Sequence, residues 1–193
     1  MGIKEGIIIV LSYMLGCFNT GYYYTRIFYR QDIRAVGTNV TGAMNVSRLA
    51  GKKGFLITFL GDALKGALPV LICRILKLSD IVTMISILMV ITGHIFPFQL
   101  KLKGGKGLST AFGAYLVYNP LLILYLSVTC IVLFPLIRRY TITCLSAFIL
   151  LPIELLLLEY SGWVVFFFLI NTVVIVLACR SNFKEYFNKT GKL

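Results

Sequence analysis

The chain contains the run 121-LLILYLSVTCIVLFPLI-137, which holds no charged residue. As a helix this run would rise about 26 Å, close to the roughly 30 Å of hydrocarbon in a bilayer. Its apolar residues are continuous rather than alternating, which is typical of a membrane helix and not of a barrel strand. We therefore expect an integral membrane protein built from helices.

The composition of the whole chain agrees with this interpretation. Of its 193 residues, 59% are hydrophobic and 13% are charged, and the formal net charge is +12. Globular domains average about 45–50% apolar and about 25% charged residues. A soluble nucleic-acid-binding protein or a disordered polycation would carry far more charge and less apolar surface, so both classes are excluded. We expect one membrane domain over residues 1–193, with no nucleic-acid partner.

Apolar segments divide the chain into seven candidate spans. The fourth is too short to cross a bilayer, and Asn119-Pro120 separates it from the fifth. The seven segments cover residues 6–24, 55–76, 81–99, 107–118, 121–137, 141–158 and 163–178. The sequence thus predicts an all-α polytopic membrane protein with seven transmembrane helices, of which the fourth is short.

Basic residues predict how these helices are oriented. Fifteen of the nineteen Lys and Arg residues lie in the loops after segments one, three and five, and after segment seven. The other side keeps Lys4, Arg74 and Lys77, and Lys65 lies within segment two. By the positive-inside rule, the N-terminus lies outside and the C-terminus lies in the cytoplasm.

The loop before segment four reads 101-KLKGGKGLST-110. Glycines let backbone N–H groups approach a ligand, and a helix N-terminus and lysines add positive potential, so the loop suits a phosphate group. It is not a P-loop, because glycine rather than Ser or Thr follows Lys106. The alternative is a basic loop that contacts lipid headgroups. The predicted phosphate-binding residues here are Lys103, Gly104, Gly105, Lys106 and Gly107.

A second loop reads 34-RAVGTNVTGAMNVSR-48 and is also rich in glycine and hydroxyl groups. Its donors suit a second wall of the same anion site. A polar connector between two spans would have a comparable composition, so both interpretations stay open.

Several polar residues fall where a membrane helix is predicted. Asp62 and Lys65 are spaced i, i+3, so they form either an ion pair that fixes the bundle or a contact to substrate. Glu154 and Asn171 are expected to be structural, with Asn171 bonding between helices. His94, the single histidine, is either a structural group or part of the site. With one histidine and no clustered thiols, we expect no metal site.

These motifs resemble those of the bacterial acyl-phosphate:glycerol-3-phosphate acyltransferases, a family of integral membrane enzymes. The resemblance covers essentially the whole chain and is carried by 93-GHIFP-97 with 103-KGGKG-107, by 62-DALKG-66, by 45-NVSRLAG-51 and by 139-RY-140. It implies a seven-helix enzyme that moves a fatty acyl group from acyl phosphate to the 1-hydroxyl of glycerol 3-phosphate. The products would be lysophosphatidic acid and phosphate, in the first step of phospholipid assembly.

The resemblance also implies the setting and the site residues. It implies no cofactor, no obligate protein partner, and a bacterial plasma-membrane location among lipids with the site facing the cytoplasm. The residues expected to act in catalysis are Thr38, Arg48, Lys106 and Asn182. Further residues expected at the substrate phosphate are Gly42, Asn45, His94 and Cys179, and the intramembrane support is Asp62 and Lys65.

The chain departs from the family pattern at three places. The family's first motif usually reads Gly-Ser-Gly-Asn-x-Gly-Ala-Thr-Asn, whereas residues 37–45 read GTNVTGAMN. Asn19 stands where the first helix commonly has proline, and Cys179 stands where the C-terminal motif has histidine. A weakly active member, a member with a shifted substrate or a non-catalytic relative is therefore an alternative. A small-anion transporter is another, although the chain shows no repeated half.

Overall fold

The computed structural model describes residues 2–180, and every regular element among them is helical. Five helical stretches are long and apolar enough to cross a bilayer, and two shorter apolar helices accompany them, so all seven predicted segments are helical. The helices are α1 (Ile3–Cys17), α2 (Thr20–Phe28), α3 (Ala43–Ile75), α4 (Asp80–Ile95), α5 (Leu108–Tyr118), α6 (Pro120–Ile137), α7 (Tyr140–Leu157) and α8 (Gly162–Ala178). Short 3-10 turns cover Ile33–Ala35 and Phe98–Leu100.

The first predicted span is interrupted in its middle. Phe18 and Asn19 have extended backbone (φ/ψ of −71°/101° and −92°/102°), so α1 ends before them and α2 begins after them. The prediction of one continuous helix over residues 6–24 is therefore wrong. The two helices still form one membrane-length stretch, Ile3–Phe28.

The second predicted span begins earlier than its apolar run. Helix α3 starts at Ala43 rather than near residue 55, and Gly51 interrupts it with φ 61° and ψ −159°. This left-handed backbone is accessible to glycine at little cost. The polar residues 43–50, which the sequence assigned to a loop, therefore form a short helix of their own.

The remaining boundaries follow the predicted segments closely. Helix α4 begins after Ser79, whose side chain accepts a hydrogen bond from the Val82 N–H. Helix α5 has eleven residues and rises about 16 Å, so the prediction of a short fourth segment is confirmed. Side chains on α6 such as Ile131 and Leu136 are 72% and 80% exposed, which suits contact with lipid.

The described chain forms two compact units, whereas the sequence predicts one domain. Unit 1 ends at Tyr118, and unit 2 begins at Asn119. In unit 1, glycines bring the helix backbones close together. A Cβ on Gly16 of α1 would overlap the Val90 carbonyl of α4, and a Cβ on Gly66 of α3 would overlap the Thr110 carbonyl of α5. Alanine at either position would force the helices apart.

Unit 2 packs α7 against both α6 and α8. The Thr172 hydroxyl of α8 donates to the Phe148 carbonyl of α7 at 2.9 Å, and the Thr129 hydroxyl of α6 donates to the Glu154 carboxylate. The structural role predicted for Glu154 agrees with this contact. The Asn171 amide donates to Phe167 of its own helix at 3.0 Å, so its N–H group does not make the predicted interhelical bond. Thr172 makes that bond instead.

Candidate functional site

Both glycine-rich loops of the sequence lie in unit 1 and contact each other. We call residues 34–42 the first glycine loop and residues 101–107 the second glycine loop. The Thr41 N–H donates to the Gly104 carbonyl at 3.3 Å, and the Arg34 guanidinium donates to the Leu100 carbonyl, just before the second loop, at 2.8 Å. Contact between the loops favours a shared site over the polar connector that the sequence left open.

The Asn45 side chain bonds to the backbone of the first glycine loop and of the residues before it. Its side-chain carbonyl accepts from the Thr38 N–H at 2.8 Å, and its amide group donates to the carbonyls of Ile33, Val36 and Val40 at 2.8–3.0 Å. Because these donors are used on the backbone, Asn45 shapes the loop. The predicted contact between Asn45 and a substrate phosphate stays a prediction.

Arg48 lies beside Gly37 of the first glycine loop, the residue before Thr38. Thr38 is partly exposed, and Arg48 is exposed on the first helical segment of α3. A Cβ on Gly37 would lie 3.2 Å from an Arg48 guanidinium nitrogen and would overlap the Asn45 side chain. Gly37 also has φ 59°, so both its backbone and its surroundings require glycine there.

The departures in the first motif are explained by backbone and exposure. Asn39 occupies the place of a family glycine and has φ 58°, a conformation that Asn adopts more readily than most other residues. Met44 is 56% exposed, so its bulk does not fill the loop. The loop shape therefore accommodates both replacements.

Arg34 is a contact residue that sequence reasoning did not single out. Its guanidinium pairs with the Asp32 carboxylate at 2.7 Å and lies 4.9 Å from the centre of the Tyr22 ring. Hydrogen bonds from Arg34 hold the pKa of Asp32 below its ordinary value. Arg34 thus joins the start of the first glycine loop to α2 and to the 3-10 turn before the second loop. Its position at the start of a glycine-rich loop was the available signal.

The second glycine loop folds back on the end of α4. The N–H groups of Gly104 and Gly105 donate to the carbonyls of Ile95 and His94 at 3.1 and 3.0 Å. These two N–H groups are therefore bonded inside the protein, and the binding of phosphate by Gly104 and Gly105 stays a prediction. Gly107 has φ 84°, and α5 begins directly after it.

Lys103 and Lys106 differ in their surroundings. Lys103 is exposed, whereas Lys106 is partly buried directly before the N-terminus of α5. The first N–H groups of a helix carry partial positive charge and favour an anion. The combination of Lys106, Gly107 and this helix end is thus a positive site beside the first glycine loop.

His94 lies beneath the second glycine loop and is only 2% exposed. Its Nδ1 atom is 3.7 Å from an Asp62 oxygen, and a Cβ on Gly105 would overlap its Nε2 atom. The imidazole is enclosed between these groups and supports the loop, and its contact with a substrate phosphate stays a prediction. Among the described residues, no group of three metal-ligating side chains occurs.

Asp62 and Lys65 form a buried ion pair with an N–O distance of 3.0 Å. The Lys65 ammonium also donates to the carbonyls of Gly16 and Phe18, and an Asp62 oxygen accepts from the Thr20 N–H at 3.3 Å. Of the two alternatives from the sequence, the contacts favour the structural one, because the pair binds backbone groups.

The C-terminal motif is described only in part. Cys179 follows the end of α8 and is fully buried in unit 2. Asn182, predicted to act in catalysis, lies outside the described residues, so its role stays a prediction.

Comparisons with known proteins agree on one family. The family model described as glycerol-3-phosphate acyltransferase matches residues 6–189. Glycerol-3-phosphate acyltransferase 1 of Desulfitobacterium hafniense (strain Y51) is 35% identical over 99% of this chain and 95% of its own length. The corresponding protein of Ruthia magnifica is 33% identical over 94% of this chain and 92% of its own length.

A solved structure has the same fold. The crystal structure of PlsY (YgiH), an integral membrane glycerol 3-phosphate acyltransferase, in its glycerol 3-phosphate form superposes with a TM-score of 0.88 at 27% identity. The match covers 96% of this chain and 93% of that one. The lysophosphatidic acid form gives a TM-score of 0.85 at 25% identity over the same shares of the two chains.

Proposed function

The chain belongs to the glycerol-3-phosphate acyltransferase family, and from this premise we propose that it transfers a fatty acyl group to glycerol 3-phosphate in phospholipid synthesis. One observation of the structure carries the proposal. The two glycine loops meet through the Thr41 N–H and the Gly104 carbonyl, and each brings a cation: Lys106 lies just before the N-terminus of α5, and Arg48 lies beside Gly37 of the first loop. A site of this kind suits substrates that carry phosphate groups.

We propose acyl phosphate as the donor. In this reaction the 1-hydroxyl oxygen of glycerol 3-phosphate attacks the acyl carbonyl carbon, and the bond from that carbon to the phosphate oxygen breaks. The hydroxyl proton moves to an oxygen of the departing phosphate. The products are lysophosphatidic acid and inorganic phosphate, so atoms and charges balance without a cofactor.

Each loop contributes differently to this chemistry. Lys106 and Arg48 neutralise phosphate charge, including the charge that develops on the leaving group. Thr38 and the first N–H groups of α5 donate hydrogen bonds and hold the two substrates in contact. His94 is enclosed by Asp62 and Gly105, which supports a substrate phosphate rather than the imidazole as the proton acceptor.

The membrane setting follows from the same features. The apolar side chains exposed on the long helices suit a bilayer, where a fatty acyl chain would also lie. Both glycine loops belong to the basic side of the chain, which supports a site facing the cytoplasm of a bacterial plasma membrane. For the C-terminal motif, the family resemblance alone supports a catalytic role for Asn182 and a contact of Cys179 with substrate phosphate.

The test is an acyl-transfer assay on purified protein in detergent. Palmitoyl phosphate and labelled glycerol 3-phosphate should give labelled lysophosphatidate, and palmitoyl-CoA should give none. Lys106→Ala should lower kcat/KM by at least about 100-fold, the usual loss for one transition-state donor. Lys77→Ala is the matched control, because Lys77 lies beside Tyr118 at the far end of α5.

Three results would count against the proposal. Full acyl transfer by Lys106→Ala would remove the phosphate site from the second glycine loop. Binding of palmitoyl phosphate without product from the unaltered protein would favour a non-catalytic relative, and phosphate flux into liposomes would favour a transporter.

A further inference from the structure

The interruption between α1 and α2 creates a problem that a membrane helix normally avoids. Phe18 and Asn19 leave the helical path inside the membrane-length stretch Ile3–Phe28. The last carbonyls of α1 and the first N–H groups of α2 therefore lose their intrahelical partners. In a bilayer such groups need partners from the protein itself.

Asp62 and Lys65 supply these partners. The Lys65 ammonium donates to Gly16 and Phe18 at the carbonyl end of α1, and the Asp62 carboxylate accepts from Thr20 at the N–H end of α2. The cation thus lies at the negative end of one helix and the anion at the positive end of the next. This arrangement requires the anion at residue 62 and the cation at residue 65. An ion pair with the two charges exchanged would not provide it.

The same interruption is tied to both glycine loops. The Asn19 side-chain carbonyl accepts a hydrogen bond from the Thr41 hydroxyl, and both residues are fully buried. The Thr41 N–H then donates to Gly104 of the second loop. In addition, the Gln99 amide donates to the Cys17 carbonyl at 2.6 Å, just before the second loop. Movement at Phe18 and Asn19 would therefore be transmitted to both loops.

We propose that Asp62 and Lys65 are positioning residues: they fix the interruption of the first span, which through Asn19 and Thr41 holds the two glycine loops in register for substrate phosphate. This inference rests on the proposed function for its kinetic consequence. Neither side chain touches substrate. Their effect passes through backbone groups of residues 16–20 and through one buried hydroxyl.

The first experiment uses Thr41→Val, which removes the hydroxyl, nearly conserves side-chain shape and leaves the ion pair intact. The KM for glycerol 3-phosphate should rise about five- to tenfold, as expected for one lost buried hydrogen bond, with kcat changed less than about twofold. Thr172→Val is the matched control. It removes a similarly buried interhelical hydroxyl bond in unit 2 and should leave this KM unchanged.

The second experiment reverses the pair in the double variant Asp62→Lys with Lys65→Asp. An ion pair remains, but each charge now faces the wrong helix end. The KM for glycerol 3-phosphate should rise at least as much as in Thr41→Val. Amide hydrogen exchange should become faster in peptides covering residues 18–22 and 37–42. If the ion pair only held the helices together, the KM and the amide exchange would both equal those of the unaltered protein.

The outcomes separate this inference from the proposed function. Unaltered KM in Thr41→Val, or unaltered KM and exchange in the reversed pair, overturns the positioning role while acyl transfer stands. If the reversed pair does not accumulate as folded protein, Thr41→Val alone decides. If the unaltered protein makes no product, the proposed function fails, and exchange at residues 37–42 in both variants still tests the positioning role.

Discussion

Unit 1 and unit 2 are both bundles of apolar helices, but they satisfy their buried polar groups in different ways. Unit 1 uses a buried ion pair, the Asn19 side chain, which accepts from the Thr41 hydroxyl, and the Asn45 side chain, which bonds to backbone groups. Unit 2 uses single hydroxyl bonds from Thr129 and Thr172 between neighbouring helices. Regular helices satisfy their own backbone, so unit 2 needs little more.

The difference follows from where the irregular backbone lies. Unit 1 contains the interruption at Phe18 and Asn19, the kink at Gly51 and both glycine loops. Each of these interrupts regular helix, and side chains bond backbone groups at the first-span interruption and in the first glycine loop. The polar network of unit 1 is therefore a consequence of holding loops in place, and its removal should affect activity, whereas similar changes in unit 2 should affect stability alone.

The largest test of this comparison is Gly105→Ala. The added Cβ would overlap the His94 imidazole, which Asp62 encloses from its other side, so the second glycine loop must shift. Overpacking of this kind costs about 1–3 kcal/mol, and displacement of Lys106 should lower kcat/KM by about 100-fold.

The control for that change is Gly162→Ala at the start of α8. A Cβ there meets no atom within 4 Å, so this variant of unit 2 should keep full activity and stability. Acyl-transfer kinetics and thermal unfolding in detergent measure both. Equal effects of the two substitutions would abolish the distinction between the units.

A second test is Asn45→Ala, which removes the buried amide beneath the first glycine loop. Each lost hydrogen bond contributes about 1 kcal/mol, so disorder of the loop should reduce kcat/KM by about 10- to 100-fold. Ser47→Ala is the comparison, because the Ser47 hydroxyl bonds only to Met44 within its own helical turn. A loss no greater than that of Ser47→Ala would show that the loop keeps its shape without Asn45.

The sequence predicted those parts of the molecule that have a recognisable pattern of neighbouring residues. Continuous apolar runs located all seven segments, and the glycine-lysine motif located the second loop. Contacts between side chains and distant backbone have no such pattern. Lys65 bonds to a carbonyl 49 residues away, and Thr41 bonds to an asparagine 22 residues away. The interruption of the first span was missed for this reason.

The same limit applies within the site. His94 and Asn45 belong to motifs that contain phosphate-binding candidates, so motif membership assigned both to the ligand. Their burial of 98–99% and their bonding to the protein place them beneath the loops instead. Proximity in sequence predicted which region is functional but not which side of the loop each side chain occupies.

A third, smaller test lies in unit 2. Thr172→Val should remove one hydrogen bond between α8 and α7 and lower the free energy of unfolding by about 0.6–1 kcal/mol, the range measured for such bonds. Thermal unfolding in detergent measures the change, with Val173→Ala on the exposed side of α8 as control. The KM for glycerol 3-phosphate should not move. A raised KM would mean that unit 2 also positions substrate.

The smallest test concerns Asp32 and Arg34, which join the first glycine loop to the second. Arg34 lowers the pKa of Asp32 in the folded protein, so the charged carboxylate is more stable in the folded state than in the unfolded state. The pair therefore stabilises the protein above the unfolded pKa of about 3.9, and this contribution is lost as pH falls through the lower folded pKa.

Asp32→Asn should lack this loss of stability at acid pH and should be slightly less stable at neutral pH. Unfolding temperatures between about pH 3 and pH 7 measure it. If Asp32→Asn loses as much stability at acid pH as the unaltered protein, the contact between the loops does not depend on this pair. Arg34 would then act through the Leu100 carbonyl alone.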